Sequence, residues 1–282
     1  MSEHSIYPAK TFRLVCFDCD STLVTIEGID ELARLKGKFE HIAALTRRAM
    51  EGELKIEKVF AARLALLQPT RADLRRVAQA YREHLVPDAR PVIAALRAAG
   101  CAVHIVSGGL LLAVQALARD LGLPTQNVHA VPIVFDQLAG EWWRYEQHRY
   151  GGNPAERYLA FAPTPLAESQ GKRTLIAQLA GAARDAMLVG DGVTDLEART
   201  AVKRFVGFGG VVQREVVAAN ADVFIAAPRL AAIVPLAVSA AQAQQFVGGA
   251  HESVWRRGLE DIENGLVKFH PQFPVPAPDA TL

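Results

Sequence analysis

The chain has 282 residues, half of them apolar, and 31 Lys and Arg against 30 Asp and Glu give a formal charge of +1. That length and apolar content suffice for one large domain or two modest ones, and the even mixing of charge excludes a dedicated nucleic-acid surface, which would cluster basic residues. No apolar run reaches the ~18–20 residues of a membrane span, and the polar stretch from Met1 to Lys10 is no secretory leader, so no membrane association is expected.

From the N-terminus, Phe12 to Phe17 is a largely apolar run that reads as a buried strand. It leads directly into Asp18 and Asp20. At a strand end, side chains two apart point the same way, so both carboxylates can address one small volume. Such a pair suits an acid that attacks, an acid that shuttles protons, or a bound divalent metal. The plain alternative is a strand-to-turn junction capped by Asp and Ser. Between Val24 and Leu85, apolar residues recur at three- and four-residue spacing in Ile29 to Leu35, Ile42 to Met50, Ile56 to Leu67 and Leu74 to His84. Gly37, Gly52 and Gln68-Pro69 punctuate them as helix stops. This predicts a helical insert the size of a small bundle. The arginines from Arg71 to Arg76 keep helical spacing and read as a solvated face.

From Pro87 onward the pattern alternates. Pro87 to Ala99 reads as a helix, Cys101 to Val106 as a strand and Leu110 to Leu121 as a helix; Val128 to Val131 and Ile133 to Phe135 read as short strands. After a break come a helix at Lys172 to Leu179, a strand at Ala186 to Val189 and a helix at Asp195 to Val202. A strand at Phe205 to Gly207, a helix near Arg214 to Ala219 and a strand at Asp222 to Ile225 complete the series. The expected fold is α/β: a parallel sheet with helices on both faces, built from residues 11–23 and 86–235. The insert, residues 24–85, forms a cap over the sheet's carboxyl edge, where open α/β sheets bind ligands.

Two segments stand outside this plan. Residues 137–165 hold Trp142, Trp143, Tyr145, Tyr150 and Tyr158 around a Gly151-Gly152 turn, an extended hairpin or a flap. In residues 236–282, Trp255, Leu259, Ile262 and Leu266 make a helical stripe that must be buried on the core or on a partner chain. A homodimer is a separate expectation. Pro271 to Pro278 looks irregular. The three cysteines, Cys16, Cys19 and Cys101, are too few for a disulfide framework. Cys16-x-x-Cys19 lacks a second pair at zinc spacing, so these are read as small buried residues in a reducing cytoplasm.

Chemistry collects at four places. The first is the Asp18/Asp20 pair. Ser107-Gly108-Gly109 ends the second strand, and a hydroxyl with exposed amides at a helix start can cradle phosphate; an ordinary Gly-rich turn is the alternative. Lys172 sits at a predicted helix start, where the helix dipole disfavours a cation, so it answers an anion or simply faces solvent. The Walker pattern fails around it. Gly190-Asp191-Gly192-Val193-Thr194-Asp195 brings a second carboxylate pair to the same sheet edge, without the further acids of a calcium loop.

In this order the motifs are similar to those of the haloacid dehalogenase superfamily of phosphohydrolases. Over about Arg13 to Ile225 the chain resembles its phosphoserine phosphatase family. The resemblance is carried by Phe17-Asp-Cys-Asp-Ser-Thr-Leu, Glu27-Gly-Ile-Asp-Glu-Leu-Ala, Thr46-Arg-Arg-Ala-Met50 and Arg63-Leu-Ala-Leu-Leu-Gln-Pro. It continues in Ile105-Val-Ser-Gly-Gly, Gly190-Asp-Gly-Val-Thr-Asp and Val206-Gly-Phe-Gly-Gly. The resemblance implies Asp18 as nucleophile and Asp20 as proton shuttle. It implies Mg²⁺ between the Asp18 carboxylate, the Asp20 carbonyl and Asp191. Ser107, Gly108, Gly109 and Lys172 would hold phosphoryl oxygens, and Asp195 would orient Lys172 or metal-bound water. Glu27, Met50, Arg63 and Thr194 would bind the substrate, a small phosphate ester with phosphoserine first. A related ester or a phosphotransferase reaction is the alternative; an inactive scaffold using residues 137–165 and the tail is a third. The chain departs from the family in that long insertion, in Gln170 where a small residue is usual, in the added tail and in lacking an N-terminal regulatory domain.

Overall fold

All four residues of Leu14–Phe17 are buried, a requirement that only the interior of a sheet covered on both faces meets. The computed structural model describes residues 6–50, 56–136, 156–168 and 170–271, with backbone alone at 46–50 and 56–57. Its strands are β1 (Leu14–Phe17), β2 (Ala102–Leu110), β3 (Val128–Val131), β4 (Ile133–Asp136), β5 (Arg157–Phe161), β6 (Ala186–Gly190), β7 (Arg204–Phe208), β8 (Val223–Ile225) and β9 (Val267–Phe269). Seven of them form one sheet in the order β3-β2-β1-β6-β7-β8-β9, parallel except for β9. Phe17 lies level with Ile105 of β2 and Val189 of β6. The residues just past Phe17, Ile105 and Val189 therefore lie side by side.

Val15 and Phe17 face one core, and Leu14 and Cys16 face the other, the alternation that a pleated strand imposes. The first core holds Val92 and Leu96 of α5 (Ala89–Ala98), Val114 and Leu117 of α6 (Leu111–Asp120), and Ile233 of a helix at Ile233–Ala237. The second holds Ile176 of a helix at Gly171–Ala180 and Val217 of one at Glu215–Asn220. The fold is α/β, with helices on both faces of a mostly parallel sheet.

Between β1 and α5 run α1 (Gly28–Leu35), α2 (Phe39–Met50), α3 (Ile56–Leu67) and α4 (Arg71–Glu83). A capping box starts α4: Thr70 Oγ1 accepts from Asp73 N at 3.1 Å and Asp73 Oδ2 accepts from Thr70 N at 2.8 Å, a cap that contributes about 1 kcal/mol. The two connectors of this helical insert run side by side. Val24 bridges Leu85, Thr25 N donates to His84 O at 2.8 Å and Val86 N donates to Leu23 O at 2.9 Å.

Several elements differ from the sequence expectation. β2 continues through Ser107-Gly108-Gly109 to Leu110, because its pairing with β3 shifts register between Val106 and Leu110; the helix starts at Leu111. Ile133–Asp136 leaves the parallel sheet and pairs antiparallel with Arg157–Phe161 in a separate ribbon. That ribbon meets the insert through the Arg71–Glu156 ion pair, a Thr70–Arg157 bridge and Phe60 edge-on to Phe161 at 5.3 Å. Trp142, Trp143, Tyr145 and Tyr150 lie outside the described residues. The helix expected from Asp195 begins at Val193 and tightens to 3₁₀ over Ala198–Ala201.

The C-terminal stripe packs on the chain's own core. Trp255 and Ile262 are buried in it, Leu259 and Leu266 pack against it, and Trp255 Nε1 donates to Tyr7 Oη at 3.0 Å. No partner chain is needed to cover this stripe. Val267–Phe269, which carries no strand signal of its own, closes the β8 edge.

Candidate active site

A cavity of about 340 Å³ opens over the carboxyl ends of β1, β2 and β6. The sheet side supplies Asp18, Asp20, Ser107, Gly108, Gly109, Lys172, Asp191, Thr194 and Arg214; the insert supplies Glu27, Phe60, Arg63 and Tyr81. The shared register explains this convergence, since the residues just past Phe17, Ile105 and Val189 reach the same edge of the sheet. Met50 ends α2, and its side chain lies outside the described residues.

Lys172, in the first turn of α7 (Gly171–Ala180), reaches between two acids: its Nζ lies 2.9 Å from Asp18 Oδ2 and 2.7 Å from Asp195 Oδ1. Burial pulls this ammonium down, but the two carboxylates outweigh burial and hold it above the ordinary lysine value. Asp195 is fully buried and its second oxygen accepts from Gly192 N at 3.1 Å. Gly190 makes room for it, because a Cβ there would stand 2.2 Å from the Asp195 carboxyl carbon. Asp18 Oδ1 accepts from Cys19 N at 2.7 Å.

Asp191 accepts from Thr22 Oγ1 at 3.0 Å and from Arg214 Nε at 3.3 Å. Burial and the charge of Asp18 still push its carboxyl above the ordinary value. One oxygen each from Asp18, Asp191 and Asp195 lie within 4.8 Å of one another. Crowded, buried carboxylates with an all-oxygen donor set fit a hard divalent cation.

Asp20 sits in different company. Its Oδ1 accepts from Tyr81 Oη at 2.7 Å and from Gly28 N at 3.1 Å. Burial pushes its carboxyl up to about 8, with the charge of Glu27 adding to the effect and the Tyr81 bond opposing it. Burial also holds the Tyr81 phenol above its ordinary value, so it remains a donor. Ser107 is fully buried, and its Oγ accepts from Gly109 N at 2.9 Å.

On the insert side, Ser21 Oγ donates to Glu27 Oε1 at 2.7 Å. Burial raises the Glu27 carboxyl and lowers Arg63, which is drawn back up by the charges of Asp30 and Glu27. An acid and a guanidinium thus share the roof of a cavity floored by Asp18, Asp20 and Lys172. Neither Tyr81 nor Arg214 was among the site residues expected from the sequence. A buried tyrosine hydroxyl requires a partner, and that requirement was the only signal for Tyr81 on the apolar face of α4.

Residues 12–202 match the family of haloacid dehalogenase-like hydrolases. The phosphoserine phosphatase of Rattus norvegicus is 36% identical over 213 residues, spanning 75% of this chain and 88% of that protein. The chain is a haloacid dehalogenase-like hydrolase of the phosphoserine phosphatase family. The chloroplastic phosphoserine phosphatase of Arabidopsis thaliana is 32% identical across 78% of this chain and 73% of its own. A solved phosphoserine phosphatase representing an analogue of the phospho-aspartyl intermediate is 25% identical, with a TM-score of 0.59 over 77% of this chain and 94% of that one. Membership in this family makes the chain a phosphoric monoester hydrolase. Among the described residues, no helix is long and apolar enough to cross a membrane.

Proposed function

We propose that this chain hydrolyses O-phospho-L-serine to L-serine and phosphate, with Mg²⁺ as cofactor and an aspartyl-phosphate formed on Asp18. One observation carries this reading: the cavity that holds Asp18 and Asp20 is roofed by Glu27 and Arg63. An acid and a guanidinium complement the ammonium and carboxylate of an amino acid whose phosphate reaches the floor. Thr194 lines the same cavity, and Met50 is carried over as a substrate contact from the family's motif alone.

Asp18 attacks phosphorus. Asp20, kept protonated at neutral pH by burial, gives its proton to the departing serine oxygen and then takes one from the hydrolytic water. The Ser107 hydroxyl, the Gly108 amide and Lys172 hold the transferring oxygens, while Asp195 fixes Lys172. The Gly109 amide, expected from the sequence to join them, instead donates to Ser107 Oγ and orients it. Asp18, Asp191 and the Asp20 carbonyl would hold Mg²⁺, which offsets the repulsion between a carboxylate and a phosphate dianion. Residues 24–85 act as the cap that selects the substrate. The product places the reaction in serine biosynthesis, and three buried free thiols suit the cytoplasm.

Phosphate release from a panel of small esters, with and without Mg²⁺, tests this. Phosphoserine should lead the panel and require the metal. Turnover surviving in Asp18→Asn would overturn the mechanism.

A further inference from the structure

The two oxygens of Asp20 stand in unlike surroundings. Oδ1 accepts from the Tyr81 hydroxyl at 2.7 Å and the Gly28 amide at 3.1 Å, which occupies both lone pairs of that oxygen. Oδ2 lies toward the Ser107–Gly109 segment: a Cβ on Gly109 would stand 3.3 Å from it. Tyr81 is fully buried, and its hydroxyl fills the space where a Cβ on Gly28 would stand, 2.1 Å away. The ring is therefore held with its donor on Oδ1. Tyr81 belongs to none of the motifs by which the family is read in this sequence.

We propose that Tyr81 is a positioning residue for the proton-transfer steps: with the Gly28 amide it occupies Oδ1 of Asp20 and confines the transferable proton to Oδ2, the oxygen that faces the phosphate site. This inference rests on the reading of Asp20 as acid and base. In the first step the Asp18–phosphorus bond forms, the phosphorus–serine oxygen bond breaks, and the Oδ2 proton passes to that oxygen. In the second, water oxygen bonds to phosphorus, the Asp18–phosphorus bond breaks, and the water proton returns to Oδ2. Without the tyrosine donor, the proton can settle on either oxygen, and some molecules present a lone pair to the departing alkoxide.

A leaving-group comparison separates positioning from structure. A serine alkoxide needs protonation to leave, whereas 4-nitrophenolate does not. The first-turnover release rate should be measured for phosphoserine and for 4-nitrophenyl phosphate, with Mg²⁺, in the wild type, Tyr81→Phe, Asp20→Asn and the double variant. Asp20→Asn should slow phosphoserine by on the order of 10²-fold or more and the aryl ester far less. Tyr81→Phe should show the same split at about tenfold and add nothing in the Asp20→Asn background. Gly28→Ala, whose methyl displaces the hydroxyl, should reproduce it. Equal losses on both esters in Tyr81→Phe and Gly28→Ala, no loss in either, or additivity in the double variant would overturn the role of Tyr81 and leave that of Asp20 intact. A missing split in Asp20→Asn would overturn the acid–base reading and this inference with it.

Discussion

Arg214 Nε lies 3.3 Å from Asp191 Oδ2, so a guanidinium leans on one of the three carboxylates that cluster beneath the cavity. The pair is part-exposed on the arginine side, which limits its strength to the ~0.2–1 kcal/mol of screened pairs. Arg214 and a divalent cation would compete for the same oxygen. Arg214→Gln should therefore tighten Mg²⁺ by about two- to fivefold, read by titration calorimetry on the substrate-free protein. Weaker binding in the variant would mean that the arginine assists the metal.

Lys172 is the buried cation between Asp18 and Asp195. Lys172→Met leaves those acids uncompensated in a buried site, a loss that costs about 3–5 kcal/mol. The urea midpoint should drop accordingly, and Mg²⁺ should restore more stability to the variant than to the wild type. Equal Mg²⁺ effects on both proteins would argue against a shared electrostatic site.

Arg63 is assigned to the substrate carboxylate, an interaction absent from any ester without one. Arg63→Met should lower kcat/KM for phosphoserine by about 10- to 100-fold, the value of one or two charge-assisted hydrogen bonds. For 4-nitrophenyl phosphate the change should stay small. Matching losses on the two esters would remove Arg63 from recognition.

Gln170 has φ 58°, in the left-handed region, which explains why its place before Gly171-Lys172 suits a smaller residue. A side chain there is strained by roughly 1–2 kcal/mol, part of which glycine gives back through chain entropy. Gln170→Gly should raise stability by about 0.5–1 kcal/mol. Gly171→Ala should do the reverse, since its Cβ would stand 1.5 Å from Pro165 O. Melting temperatures of the two variants check both signs.

His104 Nδ1 and His129 Nε2 lie 3.1 Å apart on neighbouring strands, their rings stacked at 5.3 Å. Burial, then the His129 and Arg13 charges, lower His104 from 6.5 to about 4. Between those values the unfolded chain binds more protons than the folded one, so stability falls as pH drops from 6.5 toward 4. The melting temperature of His104→Phe should depend less on pH across that window. An unchanged slope would place the acid sensitivity elsewhere.

Asp18, Asp20, Ser107, Lys172 and Asp191 were legible in the sequence because each sits where an apolar run stops or a helix begins, and strand ends in a parallel sheet share one edge. The partners of those residues were not. Tyr81 reaches Asp20 across 61 positions and Arg214 reaches Asp191 across 23; periodicity along one element carries no information about such pairs, and a tyrosine on an apolar face resembles core. β9 escaped for a related reason: three residues become a strand only because β8 offers an open edge. Ile133–Asp136 was readable as extended but not as a departure from the main sheet, since its pairing depends on Arg157–Phe161 far downstream.

The paired connectors at Leu23–Thr25 and His84–Val86 give the helical insert a narrow two-stranded stalk. Its two ends are already hydrogen-bonded neighbours, so a short turn could join the stalk without stretching β1 or α5, provided that the α6 face now covered by α4 through Leu74, Val77 and Tyr81 were made polar. A protein trimmed in this way would keep the strand-end carboxylates and lose their roof. Phosphate groups on the surfaces of folded proteins, too large for the roofed cavity, would then reach Asp18. The stalk thus separates, along the chain, the residues that roof the cavity from the carboxylates beneath it.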